Sequence, residues 1–345
     1  MVGVGAGDPP APADLDLGDV LVAPGFVDAH CHGGGGTSFQ DGVEAARAVA
    51  EVHLRHGTTS VVASLVTDTH ERQLAAVREL APLVRGGVLA GLHLEGPWLA
   101  PEHRGAHDPR LLATPSVADA RELVAAADGA LRMVTIAPEL PGASDVIDAL
   151  VEAGVVVAIG HTGATWEQTT LALAAGATVG THLFNGMRPV HHREPGPVIA
   201  LLNSEAFVEV IADGVHLHPS ITRRVLADAP DRAVLITDAM AAAGMSDGDY
   251  GLGPLRVEVR DGVARLAGGG SIAGSTLTMD AALRHAVLTA GVPLLDALRA
   301  ATATPARMLG LTDVGELREG ARADLVVLDD DLRVRRVMRS GAWVA

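Results

Sequence analysis

Short apolar runs alternate with longer stretches of helical pattern from Pro24 onward, and this alternation limits the possible folds more than any other feature of the sequence. Runs that are apolar throughout are typical of parallel strands buried on both faces, with a helix in each connection. The predicted strands are FVDAH, SVVASL, VLAGLHLEG, RMVTIAP, VVVAIGH, ATVGTHLF, AFVEVIAD and AVLITDA. About eight such strands predict an α/β fold, a closed (β/α)8 TIM-like barrel.

An open, doubly wound sheet would show the same alternation, so a second observation has to separate the two architectures. Such sheets usually carry a glycine-rich phosphate-binding loop after the first strand, and none follows here in the required register. The chain has 345 residues, which is more than the roughly 250 that a barrel needs. We therefore rank the barrel first and expect a small accessory domain beside it.

The domain boundaries follow from where the pattern changes. The barrel is predicted over residues 24–313, with helices near 41–56, 69–85, 276–290 and 293–310. A β-hairpin insertion is predicted near 253–270, where the pattern alternates with period two around Asp261 and Gly262. Strands in 314–345, together with a short contribution from the Gly- and Pro-rich residues 1–23, are predicted to form a small β-sandwich domain.

Charge and residue usage exclude several functions. The 26 basic residues are all arginine and face 42 acidic ones, so the net charge is −16. Such a chain is a poor partner for nucleic acid or an anionic membrane. Without lysine there is no Schiff base, no pyridoxal phosphate anchor, no phosphate-loop lysine and no carbamylated lysine bridging two metal ions. Any metal site must use other ligands.

Cysteine usage and hydropathy bear on location. The single cysteine, Cys31, cannot form a disulfide within the chain, which suits a reducing compartment. No basic start precedes an apolar signal core, and no uninterrupted apolar run reaches about 18 residues. We expect a cytoplasmic protein without membrane partners.

Polar side chains stand at the carboxyl ends of five predicted strands, on the face where barrel enzymes place their chemistry. Residues two apart on a strand point to the same side, so the H-x-H at the end of the first strand can bind one ion. The predicted metal ligands and their accompanying carboxylate are His30, His32, Glu95, His161, His182 and Asp238.

Each of these residues also has a structural interpretation. Glu95 can satisfy backbone amides in a turn, and His161 can cap the helix that Thr165 is expected to start. An H-x-H pair taken alone is weak evidence. The recurrence of such side chains at successive strand ends favours a metal site over a set of unrelated polar residues.

Seven segments resemble the amidohydrolase superfamily, and more closely its N-acetylglucosamine-6-phosphate deacetylases. H-x-H is common to the superfamily, whereas the ordered succession THLFN, REPG, DGVH, TDAM and AGST is specific to the deacetylase group. The resemblance implies a barrel with a small β-sandwich that hydrolyses the N-acetyl group of N-acetylglucosamine 6-phosphate in amino-sugar catabolism. The segments are PGFVDAHCHG (24–33), HLEGPWLAPEHRGAH (93–107), GHTGAT (160–165), THLFNGMRPVHHREPG (181–196), ADGVHLHP (212–219), TDAMAAAG (237–244) and SIAGST (271–276).

The resemblance also implies roles for individual residues. The metal ligands fall on Glu95, His161 and His182, the catalytic aspartate on Asp238, and a second metal position on His30 and His32. The expected cofactor is a divalent metal, zinc by preference, with one or two ions per subunit. Contacts with the substrate are implied for Ala106, His107, Asn185, Gly186, His216, Ile272, Ala273 and Gly274.

Arg193 of the REPG segment is the expected partner of the substrate phosphate, which a planar guanidinium binds with two parallel hydrogen bonds. The family pattern places this arginine in the neighbouring subunit's active site, which implies a homodimer. From the residues alone, a surface ion pair with Glu194 is the simpler interpretation.

Several alternatives stay open at this point. The galactosamine epimer differs from the expected substrate in one hydroxyl that no motif reads. A cyclic amidase or nucleobase deaminase of the same superfamily is disfavoured by REPG and DGVH, and a non-catalytic barrel by the complete set of candidate ligands. Only 23 residues precede Pro24, fewer than is usual in the family, so either the small domain is reduced or the true start lies upstream.

Overall fold

The computed structural model describes residues 1, 3–5, 15–268 and 270–344. Residues 2 and 6–14 of the predicted N-terminal contribution to the small domain lie outside the described residues, as does Gly269 of the predicted hairpin. The described helices are α1 (Val43–Arg55), α2 (His70–Arg85), α3 (Val117–Ala127), α4 (Ala143–Glu152), α5 (Trp166–Ala174), α6 (Gly196–Leu202), α7 (Pro219–Asp228), α8 (Met279–Arg284), α9 (Leu294–Ala301) and α10 (Ala303–Met308).

Short 3₁₀ turns cover Phe39–Asp41 and Pro101–His103, and a π-helical turn covers His285–Thr289. The described strands are β1 (Leu21–Pro24), β2 (Phe26–Cys31), β3 (Gly33–Gly34), β4 (Thr37–Ser38), β5 (Thr58–Val66), β6 (Gly91–Glu95), β7 (Leu131–Ile136), β8 (Val156–Ile159), β9 (Val179–Gly180), β10 (Phe207–Ile211), β11 (Ala233–Ile236), β12 (Gly248–Leu252), β13 (Leu255–Arg260), β14 (Val263–Leu266), β15 (Leu325–Leu328), β16 (Val334–Arg339) and β17 (Ala342–Trp343).

Within the described residues, the central sheet has eight parallel strands in the order β2-β5-β6-β7-β8-β9-β10-β11. Its two outer strands meet at the carboxyl end of β2 and just beyond β11, where the Asp238 N–H donates to the His30 carbonyl at 2.8 Å. A parallel bridge between Cys31 and Ala239 continues this contact. The sheet therefore closes on itself, and the predicted (β/α)8 barrel is confirmed.

The barrel strands form because their side chains are buried on both faces. All nine residues of β5 and all six of β2 are buried, and the helices cover the outside of the sheet with one apolar stripe each. Helix α1, for example, buries Val49, Ala50 and Leu54 among others. Helix α5 begins at a cap in which the Thr165 hydroxyl accepts from the Gln168 N–H, so the interpretation of His161 as a helix cap is wrong.

The insertion after the eighth barrel strand is a sheet of three antiparallel strands within the described stretch 248–266, β12-β13-β14. Asp261 and Gly262 form the tight turn between β13 and β14, with φ of 51° and 73°, as the Asp-Gly pair predicts. The first strand was not predicted, because its sequence GDYGL lacks an alternating apolar pattern. Leu252, Val257 and Ala264 pack this sheet over the barrel.

The chain ends supply a separate antiparallel sheet, with the order β1-β15-β16-β17 in the parts of the chain that the structure describes. β1 pairs with β15 from Leu21 opposite Leu328, so the small sheet expected from both termini is present. The helix predicted over 293–310 is interrupted at Thr302, whose φ of −137° and ψ of −83° separate α9 from α10. None of the described helices is long and apolar enough to cross a membrane.

Candidate active site

The carboxyl ends of five barrel strands bring six buried polar side chains together, which we call the charged cluster. His30 is in β2 and Glu95 ends β6, while the other members follow within two residues of a strand end. All six are buried, and the most exposed of them, Asp238, has 7% of its surface accessible. The charged cluster consists of His30, His32, Glu95, His161, His182 and Asp238.

Three members of the charged cluster have a left-handed backbone, in which a non-glycine residue is strained. The φ values are 47° at His161, 27° at His182 and 48° at Asp238. At Asp238 the neighbouring segments hold this conformation, because the Ser275 N–H donates to its carbonyl at 2.7 Å. The sharp turn after each strand directs the side chain into the mouth of the barrel.

The charged cluster has two halves, His161 with His182 and His30 with His32 and Asp238. The carboxylate of Glu95 lies between them. Its Oε1 lies 2.9 Å from His182 Nε2 and 3.0 Å from His161 Nε2. Its Oε2 lies 3.2 Å from His32 Nε2. In the second half, His32 Nε2 is 3.2 Å from Asp238 Oδ1. One glutamate therefore contacts both halves. It occupies the position of a bridging ligand, which a carbamylated lysine cannot fill in a chain without lysine.

The outer nitrogen of each histidine fixes which nitrogen faces inward. Nδ1 of His32, His161 and His182 lies 2.8–3.1 Å from the carbonyl oxygens of Ser64, His103 and Asn185 respectively. Nδ1 of His30 lies 3.1 Å from the Glu209 carboxylate. Because carbonyl and carboxylate oxygens only accept, each Nδ1 donates its proton outward, and Nε2 is the nitrogen that faces the cluster.

Nε2 atoms of neighbouring histidines consequently meet inside the charged cluster. The Nε2 atoms of His30 and His32 are 3.1 Å apart, and so are those of His161 and His182. Such contacts need positive charge between the atoms, supplied by extra protons or by a cation. Tetrahedral ligands held at about 2.0–2.1 Å from a zinc ion lie about 3.3 Å from one another, and imidazole with carboxylate is a zinc donor set. The residues present therefore fit a divalent metal.

The electrostatics of the cluster agree with this. Burial alone would lower the pKa of His32, but the hydrogen bonds with Asp238 and Glu95 outweigh it and raise the pKa to about 9. Burial alone would raise the pKa of Asp238, but the hydrogen bond with His32 and the charge of His30 hold it well below its usual range. Burial alone would also raise the pKa of Glu95, but the charge of His30 and the hydrogen bond with His107 hold it well below its usual range. Both carboxylates are thus ionised at neutral pH and attract a cation.

His107 differs from the four cluster histidines in which ring nitrogen carries the outward or inward hydrogen bond. The Thr67 N–H donates to its Nδ1 at 3.4 Å, so the proton resides on Nε2, which lies 3.4 Å from Glu95 Oε2. Burial lowers the pKa of His107 to about 4, against the raising effect of Glu95. A neutral imidazole with its N–H directed inward is a hydrogen-bond donor rather than a metal ligand.

A cavity of about 290 Å³ opens above the charged cluster. It is lined by His32, Glu95, His161, His182 and Asp238, whereas His30 lies beneath them with no exposed surface. The residues that the family resemblance assigned to the substrate and that line this cavity are Ala106, His107, Asn185, Gly186, His216, Ile272 and Gly274.

Two residues assigned to the substrate do not line this cavity. Ala273 is fully buried with the insertion sheet, because successive residues of an extended segment point to opposite sides. Arg193 lies on an exposed loop beside a separate surface pocket, with its guanidinium 2.8 Å from His192 Nε2. The Glu194 carboxylate pairs with Arg188, so the predicted Arg193–Glu194 ion pair is wrong.

Sequence reasoning missed further buried polar residues in the barrel, two of which lie next to the charged cluster. Glu209 in β10 contacts both His30 and His182, and its signal was a lone carboxylate in the middle of the apolar strand FVEVI. His93 precedes Glu95 by two residues and is fully buried. No spacing rule distinguishes it from the neighbouring members of the charged cluster.

The barrel fold and the charged cluster together define an enzyme of the metal-dependent hydrolase class. Residues 21–344 match the model of the amidohydrolase family, and the chain belongs to that family. The resemblance inferred from the sequence motifs is thereby confirmed.

Within this family the chain is similar to amino-sugar-phosphate deacetylases. It is 40% identical to an N-acetylgalactosamine-6-phosphate deacetylase from Escherichia coli O157:H7, and the match covers 98% of this chain and 92% of that one. It is 40% identical to the human N-acetylglucosamine-6-phosphate deacetylase, over 95% of this chain and 84% of that one.

Solved structures give the same grouping. An aspartate-to-alanine mutant of N-acetyl-D-glucosamine-6-phosphate deacetylase from Mycobacterium smegmatis, solved in complex with N-acetyl-D-glucosamine-6-phosphate, superposes with a TM-score of 0.96. The identity is 53%, and the match covers 99% of this chain and 91% of that one.

Proposed function

We propose that this chain hydrolyses the N-acetyl group of N-acetylglucosamine 6-phosphate, giving glucosamine 6-phosphate and acetate in amino-sugar catabolism. The observation that carries the proposal is the arrangement of one cavity, which is bordered by an ionised carboxylate of the charged cluster, Asp238, and by a neutral donor, His107. The names of the relatives above support the same reaction.

The metal centre that we propose uses both halves of the charged cluster. Glu95, His161 and His182 would hold one divalent ion, and His30, His32 and Asp238 offer a second position, so that a subunit binds one or two ions. Imidazole and carboxylate donors favour zinc. A bound ion supplies Lewis acidity, which lowers the pKa of water to about 7 and polarises a carbonyl oxygen.

Asp238 is proposed to carry the proton through both stages of the reaction. As an ionised carboxylate at the cavity wall it accepts a proton from the attacking water on a carboxylate oxygen. It then delivers this proton to the departing nitrogen, because an amine leaves only when protonated. One carboxylate thus acts first as base and then as acid.

His107 is proposed to bind the acetyl oxygen. Its Nε2–H points toward Glu95 and the cavity, and its lowered pKa keeps the ring neutral. A neutral donor in this position stabilises the negative charge that develops on the carbonyl oxygen during attack. The proton that His107 uses is fixed by the Thr67 N–H on the other side of the ring.

The phosphate is proposed to bind at the side of the cavity that carries His216. His216 lines this side, and Asp213 accepts from its Nδ1 at 2.7 Å. Burial lowers the pKa of His216, but the hydrogen bond and charge of Asp213 outweigh it and raise the pKa. Asn185 and the Gly186 backbone complete the subsite within one subunit.

Arg193 is proposed to complete the phosphate subsite of a neighbouring subunit. It does not line the cavity of its own chain, and it lies on an exposed loop. A chain of net charge −16 needs concentrated positive charge at its mouth to attract an anion. We therefore propose a homodimer; a cytoplasmic location stays a prediction that rests on the single buried thiol, Cys31.

A second candidate function is the same reaction on the galactosamine epimer, which the name of the E. coli relative favours. Acetate release would be measured from both 6-phosphates and from both unphosphorylated sugars, after chelator treatment and after zinc is restored. We expect zinc-dependent release, faster from the glucosamine epimer and at least about tenfold slower without phosphate, the loss of one charge-assisted contact. Equal release without phosphate would contradict the proposal.

A further inference from the structure

Glu209 is a buried carboxylate without a place in the proposed reaction. It is the central residue of β10 and has no exposed surface. Burying an ionised carboxylate is costly unless several donors compensate it. The groups that this carboxylate contacts therefore indicate what it does for the protein.

Both hydrogen bonds of the Glu209 carboxylate go to members of the charged cluster. Its Oε2 accepts from His30 Nδ1 at 3.1 Å and from the backbone N–H of His182 at 3.1 Å. Among the described residues, its Oε1 has no hydrogen-bond partner. Both hydrogen bonds of this carboxylate therefore hold members of the charged cluster rather than another part of the barrel.

His30 stands out from the other three cluster histidines in the group that orients it. His32, His161 and His182 direct their Nδ1–H to neutral backbone carbonyls. His30 directs its Nδ1–H to a carboxylate, and a charge-assisted hydrogen bond of this kind is about twice as strong as a neutral one. A carboxylate behind a histidine raises the basicity of the nitrogen that faces a metal.

We propose that Glu209 is a positioning residue that turns Nε2 of His30 toward His32 and Asp238 and so creates the second metal position. The proposal rests on the metal centre given under the proposed function. Nε2 of His30 already lies 3.1 Å from His32 Nε2 and 3.6 Å from Asp238 Oδ1. Without the carboxylate, the ring loses both its orientation and the acceptor for its Nδ1–H.

The direct test measures zinc binding rather than activity. Metal-free wild-type, Glu209→Gln and Glu209→Leu proteins are titrated with zinc by calorimetry, and ions per chain are counted by mass spectrometry after dialysis. We expect two ions in the wild type. The weaker-bound second ion should lose about tenfold in affinity in Glu209→Gln, which keeps an acceptor oxygen, and up to about 100-fold in Glu209→Leu, as is usual for groups behind a metal ligand.

A matched control neutralises another buried carboxylate. Asp324 is 3% exposed and accepts from the Ser340 N–H in the terminal sheet. Asp324→Asn should lower the melting temperature and leave both zinc affinities unchanged. Circular dichroism of each metal-free variant separates loss of fold from loss of metal. If Glu209→Leu does not fold, Glu209→Gln and the variants below carry the test.

A double-mutant comparison then assigns the effect to His30. In a His30→Gln background the second ion should already be lost, and adding Glu209→Gln should change zinc binding no further. A wild type that binds one ion, equal affinities in wild type and both Glu209 variants, or a further loss in the double mutant would overturn the proposal. If the wild type releases no acetate but Glu209→Gln still weakens the second ion, the proposed function fails and the positioning role stands.

Discussion

Two groups of buried polar side chains lie one above the other in the barrel, and their chemistry differs. Below the charged cluster is a neutral layer, formed by His93, Ser64, Thr135 and Thr181. His93 lies 2.9 Å from the Ser64 hydroxyl through Nδ1 and 2.9 Å from the Thr135 hydroxyl through Nε2. Thr135 continues to Thr181 at 2.9 Å. The rings of His93 and His30 are 4.6 Å apart between centroids, so the layers touch.

The difference between the layers is in the atoms that face each imidazole. A hydroxyl both donates and accepts, so each nitrogen of His93 finds a complementary partner without any ion. Burial and the nearby charge of His30 hold the pKa of His93 well below its usual value. In the charged cluster, Nε2 atoms of neighbouring histidines face one another and need positive charge between them. The role of a buried histidine in this barrel is therefore set by its partners, and burial alone does not reveal it.

The largest expected effect concerns the proton carrier of the charged cluster. Asp238→Asn should lower kcat for acetate release about 10³-fold, within the range that general acid–base catalysis contributes. The ion held by Glu95, His161 and His182 should be retained, since its ligands are intact, so at least one zinc ion per chain should remain. Steady-state kinetics and metal analysis of one preparation check both statements. Unchanged turnover would show that Asp238 moves no proton and would remove the chemical distinction between the two layers.

The next effect concerns positive charge that the cluster does not supply. Arg193→Ala should raise KM for the phosphorylated sugar by about 10- to 100-fold, the size of a lost charge-assisted contact. If the arginine acts in the neighbouring subunit, mixing inactive Asp238→Asn with Arg193→Ala protein should restore activity, because the hybrid dimer contains one complete site.

The mixture would be refolded together, and its activity compared with each variant treated alone. Arg188→Ala is the matched control, because this neighbouring arginine pairs with Glu194 on the same loop. The control should leave KM within about threefold of the wild-type value, as expected for an exposed ion pair. No recovery of activity in the mixture, with dimers present by sedimentation, would contradict a shared site.

A direct comparison of the layers exchanges one histidine in each for leucine. His93→Leu leaves the Ser64 and Thr135 hydroxyls short of one partner each, so the free energy of unfolding should fall by about 2 kcal/mol. Its zinc content should stay at the wild-type level. His182→Leu should bind less zinc, because a ligand is gone. The measurements are urea unfolding of the metal-free proteins and metal counting, and zinc loss in His93→Leu would break the comparison.

Much of the architecture and the position of the charged cluster could be predicted, because both follow from periodic patterns. Apolar runs identify the strands, and residues just beyond strands such as Val156–Ile159 and Ala233–Ile236 must meet once the barrel closes. His161 and Asp238 were located in this way. The same reasoning needed no knowledge of side-chain conformation.

Other features depend on contacts that no pattern encodes. His93 and Glu95 stand two apart on one strand and face the same side, yet the partners of His93 are hydroxyls from other strands. The protons of His107 and His30 are placed by Thr67 and Glu209, which are distant in sequence. The strand Gly248–Leu252 forms through pairing with Leu255–Arg260 rather than through its own composition. Such features follow from tertiary structure.

The smallest expected effect concerns a histidine–carboxylate contact outside both layers, in which donor and acceptor already match. Nδ1 of His56 lies 3.1 Å from Asp280 Oδ1. This hydrogen bond outweighs burial and raises the pKa of His56 above 6.5. Burial alone would raise the pKa of Asp280, but the hydrogen bonds with His56 and Thr278 together outweigh it, so the pKa of Asp280 is lowered. The raised pKa of His56 contributes stability that is full below about pH 6.5 and is lost as the pH rises through the folded-state value. Asp280 contributes above about pH 4.

The free energies of unfolding of wild type and His56→Gln, measured in urea at pH 5.5 and pH 8.5, should therefore differ by about 0.5 kcal/mol more at the lower pH, a size set by partial exposure and screening. His218→Gln, at an exposed histidine, serves as control. An equal difference at both values of pH would mean that the charge of His56 does not stabilise the fold through Asp280.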